Sequence, residues 1–271
     1  MDLKIKDVKD IIAFVDEHFH FDFSGFTYVS FKIKLEQYFQ KFQISNLNNL
    51  FSRLESSVLA EQEFLTFVMN NEVELFRDPA FWRIIKEEVL KKNNLDIGYR
   101  VCIPSCYQGA ELISFLIIRD VLGLTQQVNV IYTAQLDLLN LVNKGFEYDE
   151  RKHNLNLSNF KRIDGLDLPE KYLERKNNRI FATSQLFENT TFQKFDETNE
   201  LLLRKCHLII YRNRLLNYNK QYQVKVMNNL IGSLKPAGYI ALGVKEIMVD
   251  DNNREQFQVI NKKESIYKKR I

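Results

Sequence analysis

The chain has 271 residues, 45% hydrophobic and 27% charged, an ordinary globular composition with ample apolar material for a core. Its 21 Phe and 12 Tyr exclude intrinsic disorder, and 38 Lys and Arg against 35 Asp and Glu leave a net charge of +3, too small to mark a nucleic-acid binder. Three cysteines and four scattered histidines provide neither a disulfide framework nor a tetrahedral metal set, which fits a reducing compartment.

The opening MDLKIKDVKD has no apolar signal core. No run approaches the roughly 20 apolar residues of a spanning helix, so a cytoplasmic location without membrane insertion is expected. Residues 1–93 read as an all-α lobe. Ile11, Ile12, Phe14, Val15 and Phe19 recur at helical spacing, and Phe21-Asp22-Phe23-Ser24-Gly25 stops the helix. A second helix runs from Val29 to Phe42 on a Phe31, Leu35, Tyr38, Phe39 stripe, with shorter helices over Asn46–Ser57 and Gln62–Asn70. Asp78-Pro79 opens another, Pro79 occupying its first turn, that carries Phe81, Trp82, Ile85 and Val89.

After Asn93 the pattern changes, and residues 94–271 read as an α/β domain. Strands are expected at Tyr99–Ile103, Val128–Ala134, Cys206–Tyr211 and Tyr239–Leu242, with helices at Ala110–Leu122, Leu138–Lys144 and Gln221–Ser233. Alternation of this kind implies right-handed crossovers and a doubly wound, mostly parallel sheet. Residues 150–200 are polar and irregular, with Arg179–Thr183 their one convincing strand, and 150–185 is a candidate small insert. The Lys-rich end (Lys262, Lys263, Lys268, Lys269, Arg270) reads as a solubilising tail or a patch for nucleic acid or an acidic partner.

Ligands of open α/β sheets bind beyond the carboxyl ends of the strands, which here singles out three segments. Pro104–Glu111 is a strand-loop-helix with one glycine, Gly109, where a dinucleotide fingerprint needs three; it is either a ligand loop or an ordinary βα turn. Asp137 follows the second strand and either accepts ribose hydroxyls or caps the helix at Leu138. Tyr211-Arg212-Asn213-Arg214 sets polar groups at a cleft mouth or forms a solvated loop.

Taken in order, these segments resemble the chemotaxis-receptor methyltransferases of the CheR type. The family reads roughly N-x-T-x-F-F-R-D-P at the lobe junction, where Asn71 to Pro79 reads N-E-V-E-L-F-R-D-P. Its first βα loop, G-C-S-T-G-E-E-P-Y-S, is matched by Ser105 to Ser114, and its A-S-D-I-D by Thr133-Ala134-Gln135-Leu136-Asp137. Its C-R-N-V-x-I-Y-F is matched by Tyr211 to Tyr218, its L-K-P-G-G by Leu234-Lys235-Pro236-Ala237-Gly238, and its G-H-S-E by Gly243-Val244-Lys245-Glu246.

The resemblance implies a class I methyltransferase fold that uses S-adenosylmethionine (SAM), releases S-adenosylhomocysteine (SAH), and esterifies glutamates on a receptor-like helical protein. It implies cofactor contacts at Asn71, Arg77, Gly109, Glu111, Gln135, Asp137, Gln185, Arg212 and Asn213. Arg77 would take the methionyl carboxylate and Glu111 the ammonium, while Asn213 and Tyr218 would lie near the methyl. Several positions depart from the family: Val73 for Thr, Ala110 for Glu, Gln135 for the ribose-binding Asp, Gln185 for Asn, and Asn217 where Tyr is expected beside Tyr218. These departures set a second expectation beside the enzyme, a protein-binding signalling module that kept the fold and lost catalysis.

Overall fold

The computed structural model describes residues 2–69, 74–93, 95–104, 109–134, 145–147, 150–163, 169–194, 205–248 and 251–271. They form two compact units, Met1–Asn71 with Arg214–Lys225, and Glu72–Asn213 with Val226–Ile271. This division differs from the 1–93 and 94–271 expected from sequence. The Pro79 helix goes with the sheet, and a later segment returns to the helical unit.

The helical unit holds α1 (Ile5–Phe19), α2 (Tyr28–Lys41), α3 (Leu47–Ser56) and α4 (Val58–Val68). Their buried stripes are Val8, Ile11 and Val15; Phe31, Leu35, Tyr38 and Phe39; Leu50 and Leu54; and Phe64, Leu65 and Val68. α3 starts where the Asn46 side chain accepts from the Asn49 amide. α4 starts earlier than expected because the Ser57 hydroxyl accepts from the Ala60 amide, a cap worth about 1 kcal/mol. Aromatic rings fill the core: Phe14 stacks on Phe51 at 4.1 Å, and Phe23 packs 4.7 Å from Phe31 and 5.1 Å from Phe26. The returning segment joins by backbone bonds, Thr27 N–H to the Asn217 carbonyl and Asn219 N–H to the Gly25 carbonyl, both 2.8 Å. Gly25 is required there, because a Cβ would lie 2.0 Å from the Tyr222 ring.

The second unit is built on a seven-stranded sheet: β1 (Tyr99–Pro104), β2 (Val128–Ala134), β6 (Thr190–Lys194), β7 (Cys206–Tyr211), β8 (Leu234–Leu242), β9 (Phe257–Asn261) and β10 (Ile266–Lys269). Their order is β6-β2-β1-β7-β8-β10-β9, parallel through β8, with β10 antiparallel to both β8 and β9. The central strands are β-branched and apolar because both faces are covered. α5 (Pro79–Ile84) continues through a π-helical stretch (Ile85–Lys91); α6 (Ala110–Val121), α7 (Glu150–Lys161), α8 (Lys220–Ser233), which counts in this unit from Val226 onward, and the short α9 (Asp251–Glu255) follow. A separate antiparallel sheet pairs β3 (Phe146–Glu147), β5 (Arg179–Ala182) and β4 (Leu173–Lys176) in that order.

This is the expected doubly wound, mostly parallel architecture. The chain order reverses between β1 and β7, so the carboxyl ends of these strands form the switch point. Three details differ from expectation. Residues 150–200 contain a regular helix, α7, and the strands β4 and β6 besides the expected one. β8 begins five residues earlier than expected, at Leu234. The basic end is not a tail: it forms β10, where Lys269 Nζ donates to the Ile231 carbonyl at 3.0 Å. The expected helix at Leu138–Lys144 lies outside the described residues.

Candidate cofactor site at the carboxyl ends of β1, β7 and β8

The site is assembled from the segment before α5, the first turn of α6 and the residues following β7 and β8. Phe76 anchors the first of these. It is fully buried, with its ring 4.7 Å from Phe160 and 5.9 Å from Trp82. Its amide donates to Ser114 Oγ at 2.9 Å, and the Leu75 amide to Asn156 Oδ1 at 2.9 Å. Phe76 and Asp78 both have positive φ, 52° and 58°, so the chain turns sharply on either side of Arg77. Buried polar anchors and an over-determined backbone are what hold such conformations in place.

Arg212 organises the polar centre. Its side chain has no solvent exposure. Nη2 donates to Asp78 Oδ2 at 2.5 Å, and Nη1 to Glu111 Oε1 at 3.2 Å and to the Arg77 carbonyl at 3.3 Å. The guanidinium stacks 4.0 Å from the Phe81 ring centre. Asp78 makes no capping bond to α5, because its carboxylate is committed to Arg212.

Glu111 lies in the first turn of α6, behind Gly109, which serves as the N-cap at φ 75°. Burial pushes its carboxyl up to about 7, and the nearby Glu246 pushes the same way against Arg212 and Arg77. The Glu111 side chain is 18% exposed, so a cation can reach the carboxyl, and a bound cation would favour its ionised form. On the far side of the site, burial and repulsion from Asp78 raise Glu264, in the turn between β9 and β10.

Of the expected site residues, the structure brings together Arg77, Gly109, Glu111, Arg212 and Asn213. Arg212 spends both terminal nitrogens on the protein and scaffolds Glu111 and Asp78. Tyr218 belongs to the helical unit, where it is buried, bridges to Phe26 in antiparallel fashion and accepts from Arg214 Nη2 at 3.3 Å. Gln185 is exposed on a 3₁₀ turn, Ser184–Phe187. Asn71, Gln135 and Asp137 lie outside the described residues. Sequence reasoning missed the roles of Asp78, Phe81, Gly243 and Glu246. The signal was present in the F-R-D-P-x-F and G-x-x-E segments, but Asp before Pro reads as a helix cap and the second segment as a turn.

The donor set suits the amino-acid end of SAM. A partly exposed guanidinium, Arg77, complements a carboxylate, and Glu111 complements an ammonium. Among the described residues no cluster of His, Cys, Asp and Glu could hold a metal ion, and no helix is long and apolar enough to cross a membrane.

Comparison with known proteins is consistent with this geometry. The model of the CheR methyltransferase SAM-binding domain matches residues 71–266. The protein named Putative methyltransferase Cher3 of Pseudomonas putida is 23% identical over 97% of this chain and 96% of its own length. Among solved structures, an O-methyltransferase family protein of Burkholderia thailandensis covers 79% of this chain and 52% of its own at 10% identity, TM-score 0.41. Human N-acetylserotonin methyltransferase in complex with SAM covers 76% of this chain and 43% of its own at 13% identity, TM-score 0.37. The chain thus spans about half the length of the solved structures it matches. The family model extends from the Arg77 segment to β10 and so takes in every element of the site, and the chain belongs to the CheR methyltransferase family, with SAM as its cofactor.

Proposed function

We propose that the chain is a SAM-dependent protein-glutamate O-methyltransferase that acts on a receptor-like helical protein in a cytoplasmic chemotaxis or related signalling system. The observation that carries this reading is that buried Arg212 ties the Arg77 main chain and the Glu111 carboxyl together, with the Arg77 charge acting on Glu111, so two opposite charges lie near each other like the two charges of an α-amino acid. The glutamate acceptor is supported by the likeness of the F-R-D-P and R-N segments to the chemotaxis-receptor methyltransferases. When bound, SAM supplies an electrophilic methyl group. A glutamate side chain is already ionised at neutral pH, so the acceptor needs no general base. The protein's work is to position the reactants for an in-line displacement. Arg77 would hold the methionyl carboxylate, Glu111 the ammonium, and Arg212 keeps Glu111 in place.

Incubation with methyl-labelled SAM and receptor signalling helices tests this. Label on protein that alkali releases as methanol marks an ester, and Glu→Gln substitution of the acceptor should abolish it. Alkali-stable label would overturn the glutamate assignment. The second reading, a binding module without catalysis, is favoured by Gln135 in place of the family's ribose-binding Asp. It predicts SAH binding without transfer to any acceptor, or no binding at all.

A further inference from the structure

Two strand ends meet at one buried carboxylate. Asn213, directly after β7 and Arg212, sits at φ 57°, in the left-handed region that Asn tolerates better than most non-glycine residues. Gly243 directly follows β8, the parallel neighbour of β7. The amides of both residues donate to the same oxygen of Glu246, Oε2, at 2.8 and 2.7 Å. Glu246 is 2% exposed and is itself held. Its own amide donates to the Gly243 carbonyl at 2.8 Å, which closes a turn, and its carbonyl accepts from Ser265 Oγ at 3.0 Å. Ser265, in the turn directly before β10, is buried too; its carbonyl accepts from the Leu242 amide.

The junction has no spare volume. A Cβ on Gly243 would lie 2.7 Å from Asn213 Oδ1, 2.8 Å from Asn213 N and 2.8 Å from Glu246 Oε2. Neither amide is in a strand ladder, so each would be an unmatched donor in a water-poor site without this carboxylate.

We infer that Glu246 is a positioning residue: it clamps the ends of β7 and β8 and so fixes the backbone of Asn213, and through it the Asn213 side chain, at the cofactor site. The inference rests on the cofactor reading given above. It assigns Glu246 no contact with the cofactor. Its job is to hold one backbone conformation among the several open to an Asn, and a carboxylate does this well because one oxygen can accept two donors. The hairpin residue Ser265 locks the clamp from behind, which gives the antiparallel addition to the parallel sheet a task at the site.

The test combines ligand titration with amide exchange in the purified full chain. Glu246→Ala should weaken SAH binding by about tenfold or more while the far-UV spectrum and cooperative unfolding persist. Exchange at the Asn213 and Gly243 amides should accelerate by at least about tenfold relative to their β7 and β8 neighbours. Glu246→Gln keeps an oxygen able to accept both donors and should restore binding to within about threefold of wild type. Rescue by the neutral isostere separates clamping from any effect of charge. If Glu246→Ala does not fold, Gly243→Ala replaces it. Its Cβ must displace Asn213, and it should weaken SAH binding by a similar factor. SAH binding by wild type and equally by Glu246→Ala, with unchanged exchange at both amides, would overturn the inference alone. Absence of SAH binding by the wild type would overturn the cofactor reading on which it rests.

Discussion

The two ends of α6 each meet a buried arginine, and the two arginines face different partners. At the C-terminal end Arg119, 1% exposed, donates to three main-chain carbonyls, Val128 at 3.3 Å, Leu186 at 2.9 Å and Glu188 at 2.7 Å. At the N-terminal end Arg212 donates to two carboxylates, Asp78 and Glu111. Carbonyls are neutral, bind no proton and have nothing left to offer a ligand, so the Arg119 end is a tie between a helix, a strand and a turn. The carboxylate of Glu111 has two charge states within reach of neutrality, and that balance can be tipped by whatever arrives. Burial of a charge therefore does not mark a site; burial beside a group whose charge can still change does.

The comparison can be broken by mutation, and the largest effect is expected at Arg212. Arg212→Leu strands two carboxylates in and around a buried pocket. It should lower unfolding stability by about 3 kcal/mol, the low end for a broken buried pair because Asp78 is 38% exposed. Urea denaturation measures it, and SAH binding should be lost as well. Arg119→Leu leaves three carbonyls short of a donor, at about 1 kcal/mol each. It should cost about as much as the first in urea, or slightly less, yet leave SAH affinity per folded molecule unchanged. Loss of binding in that variant would show that the two ends are not separable.

Arg77→Ala reverses this signature. Its side chain is partly exposed, so stability should move by no more than about 0.5 kcal/mol, while SAH affinity falls by about tenfold or more. The smallest and most specific effect is the pH dependence of Glu111. Folding raises its affinity for a proton above the ordinary 4.5, so the stability it contributes is fully present below that value and is lost as pH climbs through about 7. Glu111→Gln should remove that slope. The groups acting on its charge are Arg212, Arg77 and Glu246. A bound ammonium favours the ionised carboxylate, so wild-type SAH affinity should rise by about tenfold from about pH 6 to about pH 8. Calorimetry across that range should find a flat profile in Glu111→Gln.

Much of the fold was legible because the central strands are buried on both faces and read as unbroken apolar runs. β2 and β7 have the expected ends, and β1 extends one residue further. The strands that escaped are at edges or in hairpins. β6 is Thr-Thr-Phe-Gln-Lys, and β9 and β10 carry Gln258, Asn261, Lys268 and Lys269, so half of each strand looks like loop. α7 escaped because its sequence, E-R-K-H-N-L-N-L-S-N-F-K, has few apolar residues; what it buries includes Asn156 and Asn159, polar groups that accept from and donate to the segment before Phe76. At the site, Arg77, Glu111 and Asn213 could be found because they follow strand ends or recognisable segments. Glu246 and Asp78 were missed because each reads locally as a turn or cap residue, while a decisive partner, the Asn213 amide for one and Arg212 for the other, is distant in sequence. A carboxylate that serves backbone amides brought together only by folding leaves no periodic trace.

The most direct test of the account is calorimetric titration of the wild-type chain with SAH, run near pH 7 where Glu111 is still partly protonated. A dissociation constant in the micromolar range, with proton release that disappears in Glu111→Gln, is the result the site geometry predicts. No heat up to millimolar SAH, in a folded sample examined at more than one temperature, would contradict it.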